Sequence, residues 1–149
     1  MVSKYEVFST AVSSLYRDIQ KIERTEMAKY GLKGPHAQCL AIMARYPDGI
    51  TAAGLCELCE RDKAAVSRTV AELEAAGLLA RRERNGVRYR VPLVLTEAGC
   101  AAAQQVNRVA FRAVEQAGSG LTDSQRTVFY EVLGHIAENL HSISRNGLK

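Results

Sequence analysis

The chain has 149 residues, of which 47% are apolar, and it carries a formal net charge of +4. This length and composition suit one domain that can bury a core without a metal or disulfide bonds. The amino terminus lacks the apolar region of a signal peptide, and no stretch approaches the roughly 18 apolar residues of a membrane span. We therefore expect a cytoplasmic protein without a cofactor, in which the four cysteines are reduced.

Residues 61–90 carry the entire positive surplus of the chain. This segment holds eight basic and four acidic side chains, whereas residues 1–60 hold seven of each and residues 91–149 hold five of each. Five arginines lie within residues 81–90. Such a cluster, unlike the mixed signs of an ordinary solvated helix face, indicates an anion-binding surface. Double-stranded nucleic acid is the leading candidate partner.

The first two segments are predicted to be helices. Ser3 and Glu6 form a capping box, and apolar residues then recur at steps of four and three (Phe8, Val12, Leu15, Ile19 and Ile22). This amphipathic helix should run to about Tyr30, before a glycine-rich break. Pro35 can occupy the first turn of a second helix, which should end at about Tyr46.

Two shorter helices follow. Thr51 can cap a third helix that runs to about Glu60, and Asp62 can cap a fourth that ends at about Ala76, before a glycine. On the fourth helix, three apolar residues share one face (Val66, Val70 and Leu73), which leaves five others toward solvent (Lys63, Ala64, Ser67, Arg68 and Thr69).

This exposed face has the features of a DNA recognition helix. Small side chains such as Ala64 and Ser67 allow the helix to approach base edges in the major groove. Arg68 can donate to both O6 and N7 of guanine, and Lys63 can contact a phosphate. The alternative is an ordinary short helix with a solvated face.

A β hairpin is predicted directly after the fourth helix. Residues 79–83 and 88–95 flank Asn85-Gly86, and both turn residues tolerate the positive φ of a type I′ turn. Next to the tip, Arg84 and Arg88 could reach a minor groove. Farther from the tip, Arg82 and Arg90 could contact the phosphate backbone. The alternative is a merely soluble basic hairpin.

Two long helices complete the chain. Thr96 opens an alanine-rich helix to about Ala117, and Thr122 with Gln125 caps a last helix that carries an apolar stripe (Phe129, Val132, Leu133, Ile136, Leu140 and Ile143). The expected fold class is therefore mainly α with a small β hairpin, in the order α-α-α-α-β-β-α-α.

Residues 50–99 resemble the MarR family of winged-helix transcriptional regulators. The resemblance is carried by Val66-Ser67-Arg68 in the fourth helix, Leu73-Glu74 with Gly77-Leu78 at its end, and Leu95-Thr96 with Gly99 after the hairpin. It implies one domain over residues 1–149, with a winged helix-turn-helix at about 35–98 and long dimerisation helices at about 3–30 and 99–146. It also implies a homodimer that binds an inverted-repeat operator and acts as a ligand-responsive repressor.

Further expectations follow from this resemblance. An effector pocket between the first, second and fifth helices would bring four lining candidates into range, although ordinary packing is the alternative for each of them (Tyr16, His36, Cys39 and Met43). Two positions depart from the family pattern. Gly86 stands two residues before Arg88, where an acidic residue is usual, and Glu60-Arg61 replaces the commoner glycine and apolar residue in the helix-turn-helix turn.

Cys56 and Cys59 form a C-x-x-C pair within the predicted third helix. Their Cβ atoms should lie roughly 5 to 6 Å apart, farther than the roughly 3.5 to 4.5 Å that a disulfide needs. No second pair and no nearby histidine completes a zinc site. We interpret both as packing thiols, with a thiol-based redox-sensing regulator as the alternative, in which Cys39 could also take part.

We do not expect an enzyme, because the sequence lacks four motifs that enzyme chemistry commonly uses. It lacks a phosphate-binding loop, a dinucleotide-binding glycine motif, a His-Glu-x-x-His zinc motif and a Gly-x-Ser-x-Gly nucleophile motif. His135 and His141 are six residues apart, a spacing that does not place them on the same helix face as metal ligands would be. Beside DNA binding, a winged-helix protein-interaction module remains open, in which the basic hairpin would contact an acidic partner.

Overall fold

A computed structural model describes residues 3–83, 86 and 90–149. These residues form six helices and a two-stranded antiparallel sheet, with α1 at Lys4–Ala28, α2 at Gly34–Met43, α3 at Ala52–Cys59, α4 at Lys63–Ala75, β1 at Leu79–Arg81, β2 at Leu93–Leu95, α5 at Glu97–Ala117 and α6 at Asp123–Asn146. The mainly helical winged-helix fold is therefore confirmed. The chain divides into two compact units, Met1–Ala110 and Phe111–Lys149.

The predicted helix starts are confirmed by their capping hydrogen bonds. Ser3 and Glu6 form the expected capping box of α1, and Thr122 does the same with Gln125 at α6. The hydroxyl of Thr51 accepts from the amide of Gly54 at 3.1 Å. Helix starts are predictable because each of these contacts joins residues three apart in the sequence.

The predicted ends of α2 and of the strands need correction. Helix α2 ends at Met43 rather than Tyr46, and β2 begins at Leu93, although we expected a strand over 88–95. Arg90 has a φ of 58°, which is incompatible with an extended strand. Pro92 has no amide hydrogen to donate to a sheet, although its carbonyl oxygen accepts from the Arg82 amide at 2.8 Å.

The core of the first unit lies among α2, α3, α4 and the strands. Its apolar residues include four leucines with no exposed surface, one from each of α2, α3, α4 and β2 (Leu40, Leu55, Leu73 and Leu93). Burial of a leucine side chain stabilises the fold by roughly 1.5 to 3 kcal/mol. The helix-turn-helix therefore has a rigid base.

Hydrogen bonds connect the base of the hairpin to the rest of this unit at two places. Leu93 pairs with Arg81 of β1. In addition, it exchanges two backbone hydrogen bonds with Ile50, at 3.0 and 2.8 Å. On the other side, the Thr96 amide donates to the Leu78 carbonyl at 3.1 Å, and the Thr96 hydroxyl accepts from the Gly99 amide at 3.0 Å. These contacts fix the strands relative to α3 and to the first turn of α5.

The second unit contains the end of α5 and all of α6, and it buries little of its own apolar surface. Arg126 joins the two helices through Glu115 at 3.0 Å and the Gly118 carbonyl at 2.9 Å. Among the described residues of α6 none is buried, and its apolar side chains are largely exposed (Val128, Phe129, Tyr130, Val132, Leu133, Leu140 and Ile143). In the first unit, α1 likewise buries only Met27.

Candidate nucleic-acid interface

The turn between α3 and α4 gives α4 its starting point. Glu60 ends α3 in a left-handed conformation, with φ 51° and ψ 37°. Glycine adopts this conformation at lower cost, and the sequence has glutamate where the related pattern favours glycine. Asp62 then caps α4, because its carboxylate accepts from the Ala65 amide at 2.9 Å.

Helix α4 exposes a polar face at its amino-terminal half. Lys63, Ala64, Ser67 and Arg68 are exposed, whereas Val66, Val70 and Leu73 are buried. None of the ion pairs found among the described residues involves Lys63 or Arg68. Small side chains and free cations therefore lie together on a helix whose opposite face is packed.

Thr69 does not belong to this exposed face. It is buried, and its hydroxyl donates to the Ala65 carbonyl at 3.1 Å. Thr69 lies three residues after Val66 and four before Leu73, so helical periodicity places it on the packed face. The expectation that Thr69 faces solvent was wrong.

The hairpin presents only part of its predicted basic surface among the described residues. Arg82 and Arg90 are exposed, and Gly86 has the positive φ, 72°, expected at the hairpin tip. The predicted sites Arg84 and Arg88 lie outside the described residues. Arg81 forms an ion pair with Glu74 of α4 at 3.5 Å, a contact that was not predicted from the sequence.

His36 connects α2 to α4. Its ring is buried, and its Nε2 lies 2.6 Å from the Glu72 Oε2. The Lys33 amide donates to the His36 Nδ1 at 3.2 Å, so Nε2 carries the proton and donates to Glu72. The Lys33 Nζ lies 3.2 Å from the other Glu72 oxygen. Hydrogen bonds, first from His36 and then from Lys33, lower the pKa of Glu72.

The other predicted effector-pocket residues lie in two different environments. Met43 and Cys39 are buried members of the core cluster. Tyr16 is 61% exposed on α1, and its hydroxyl accepts from the Gln20 side chain at 2.9 Å. His36, as described above, is hydrogen-bonded to Glu72. Because the four residues lie in these different environments, the effector pocket stays a prediction.

The cysteines form a contact that the sequence did not indicate. The Sγ atoms of Cys39 in α2 and Cys59 in α3 lie 3.8 Å apart, and both residues are buried. Burial raises the pKa of the Cys39 thiol to about 12, and it also raises the pKa of Cys59. Cys56 is half-buried on α3, and Cys100 is exposed. The described residues contain no cluster of three or more potential metal ligands.

These pKa values predict selective alkylation. A thiol of pKa about 12 contains roughly 1000-fold less thiolate at neutral pH than one of pKa 9.0. We expect iodoacetamide to modify Cys100 in the folded protein at pH 7.5 and to leave Cys39 and Cys59 unmodified, as read by peptide mass spectrometry. The unfolded protein, in which all four cysteines should react, is the control. Rapid modification of Cys39 in the folded protein would support the redox-sensing alternative.

Comparison with known proteins finds a family match over part of the chain. Residues 30–88, which contain α2, α3, α4 and β1, match the model of the MarR family. The match spans the helix-turn-helix and the first strand of the hairpin, which is less than half of the chain. No curated protein sequence matches it. Among the described residues, no helix has the length and apolar character that crossing a membrane requires.

Solved MarR-family structures share the fold over nearly the whole chain. A transcriptional regulator from Methanosarcina mazei Go1 is 25% identical and has a TM-score of 0.83, with coverage of 96% of this chain and 94% of the other. A regulator from Listeria monocytogenes, solved with a 26mer DNA, is 19% identical and has a TM-score of 0.80, with coverage of 100% and 98%. A regulator from Silicibacter pomeroyi is 21% identical, with a TM-score of 0.76 and coverage of 91% and 90%.

Proposed function

We propose that this chain is a member of the MarR family and a sequence-specific regulator of transcription that binds double-stranded DNA. The observation that carries the proposal is the exposed face of α4, where Lys63 and Arg68 flank the small residues Ala64 and Ser67. A packed helix with small residues and unpaired cations at its amino-terminal half is suited to the major groove. The relative from Listeria monocytogenes, solved with DNA, supports the same use of the fold.

Each side chain on this surface has a distinct role. Arg68 donates to guanine O6 and N7, and so reads sequence. Lys63 contacts phosphate, and the small residues allow close approach of the helix to the bases. Arg82 and Arg90 neutralise phosphates from the hairpin, whereas Arg84 and Arg88 reach the neighbouring minor groove (both pairs as expected from the sequence).

We further propose that the chain acts as a homodimer on an inverted-repeat operator. Support comes from the exposed apolar residues of α1 and α6, which a solvated monomer would leave in water. Dimerisation through these helices would bury them and place two copies of α4 on two half-sites. Release by a small molecule, and repression as the outcome, are parts of the proposal that the family resemblance supports.

Titration of a random duplex library at several salt concentrations tests the DNA-binding proposal. We expect selective retention of related sequences and a linear fall of log affinity with log salt concentration, because phosphate contacts release counterions. Duplex retention without sequence preference would support the winged-helix protein-interaction alternative instead. The best recovered duplex then serves as the operator for the experiments below.

Light scattering on the same samples tests the dimer. The parent should be dimeric, and Leu133→Glu should shift it toward monomer, because Leu133 is already 45% exposed in the single chain and its replacement should spare the fold of that chain. Glu138→Gln lies off the apolar stripe of α6 and is the matched control. A parent monomer that still binds a duplex with two half-sites tightly would contradict this assembly.

A further inference from the structure

Arg68 and Glu72 lie four residues apart on α4, and both side chains are exposed. On a helix this spacing brings Cβ atoms to roughly 5 to 6 Å, within reach of an ion pair between arginine and glutamate. No such pair forms. The carboxylate of Glu72 is instead bound to His36 at 2.6 Å and to Lys33 at 3.2 Å.

The direction of these bonds decides which way Glu72 points. His36 is fixed by its burial and by the hydrogen bond from the Lys33 amide to its Nδ1, so its Nε2 hydrogen is aimed at Glu72. A charge-assisted hydrogen bond to a fixed donor is stronger than an exposed ion pair between two flexible side chains. Glu72 is therefore held toward α2 and away from Arg68.

We propose that His36 and Lys33 are specificity-determining residues, because they prevent Glu72 from neutralising the guanidinium that reads DNA. The inference rests on the DNA-binding function proposed above. A glutamate released beside Arg68 would compete with guanine for the same donors and would also repel the phosphates. His36 and Lys33 are thus positioning residues, which act through Glu72 and need not touch DNA themselves.

The test compares affinity for the operator with affinity for random duplex. We expect His36→Leu to lower the operator-to-random ratio by about fivefold, a part of the discrimination that one bidentate arginine contact provides. His36→Gln should retain most of the ratio, since its amide can donate to Glu72. Lys33→Met, at an exposed position, should cause a smaller loss without affecting folding.

A second substitution separates this role from a structural one. In the His36→Leu, Glu72→Gln double variant the released side chain is neutral, so the ratio should return to near the parent value. Loss of folded protein lowers both affinities equally and leaves the ratio unchanged. A selective parent with an unchanged ratio in His36→Leu and Lys33→Met, or a double variant no better than His36→Leu, overturns this inference alone. A parent without sequence selectivity overturns the proposed function as well.

Discussion

Gly99→Ala is expected to lower the free energy of unfolding by about 3 kcal/mol. A Cβ atom on Gly99 would overlap the Leu78 carbonyl oxygen, which is backbone and cannot rotate away. That oxygen also accepts from the Thr96 amide, so moving it would disturb the start of α5 as well. Alanine ordinarily stabilises a helix by roughly 0.5 to 1 kcal/mol relative to glycine, so the sign of the effect is reversed at this position.

Urea denaturation at one fixed protein concentration, followed by circular dichroism, measures this effect. Gly134→Ala in α6 is the matched control, because a Cβ there meets no other atom within 4 Å. We expect the control to be neutral or slightly stabilising. If Gly99→Ala unfolded within about 0.5 kcal/mol of the parent, the close approach between Leu78 and α5 would be wrong.

Arg68→Ala should produce the largest change in DNA recognition. We expect a loss of roughly 1 to 3 kcal/mol on the operator and little loss on random duplex, because the lost contact is to a base. Arg82→Ala should instead weaken both duplexes about equally and lower the salt slope by about one unit, since its expected contact is a phosphate.

Binding isotherms on operator and scrambled duplex at several salt concentrations distinguish the two roles. Arg145→Ala, in the last turn of α6, changes charge equally at a position remote in sequence from α4 and serves as the control. The roles of helix and hairpin would be reversed if Arg68→Ala weakened both duplexes alike while Arg82→Ala changed base preference.

The fold was predictable wherever the decisive contacts are local in sequence. The caps at Ser3, Thr51 and Thr122 form hydrogen bonds with residues three positions away. Serine and threonine are typical capping residues, so these helix starts can be recognised in the sequence. The strand lengths were not predictable, because the positive φ of Arg90 has no sequence signature comparable to that of glycine.

In the candidate site, too, only the features that depend on local sequence patterns were predictable. The exposed face of α4 follows from the spacing of its apolar residues, and the error at Thr69 arose because that spacing was not applied to a polar side chain. The contacts of His36 with Glu72 and of Cys39 with Cys59 join residues 36 and 20 positions apart. Such pairs depend on how the helices pack, which no local pattern in the sequence specifies.

The pairing of Leu93 with Ile50 has a consequence for folding kinetics. It closes one chain loop that contains α3, α4 and β1, so the bridge cannot form until the ends of that loop have met. The entropic cost of closing this loop is offset only when the leucine core assembles at the same time. The hairpin base and the helix-turn-helix are therefore expected to fold and unfold in a single cooperative step, with neither persisting as a separate intermediate.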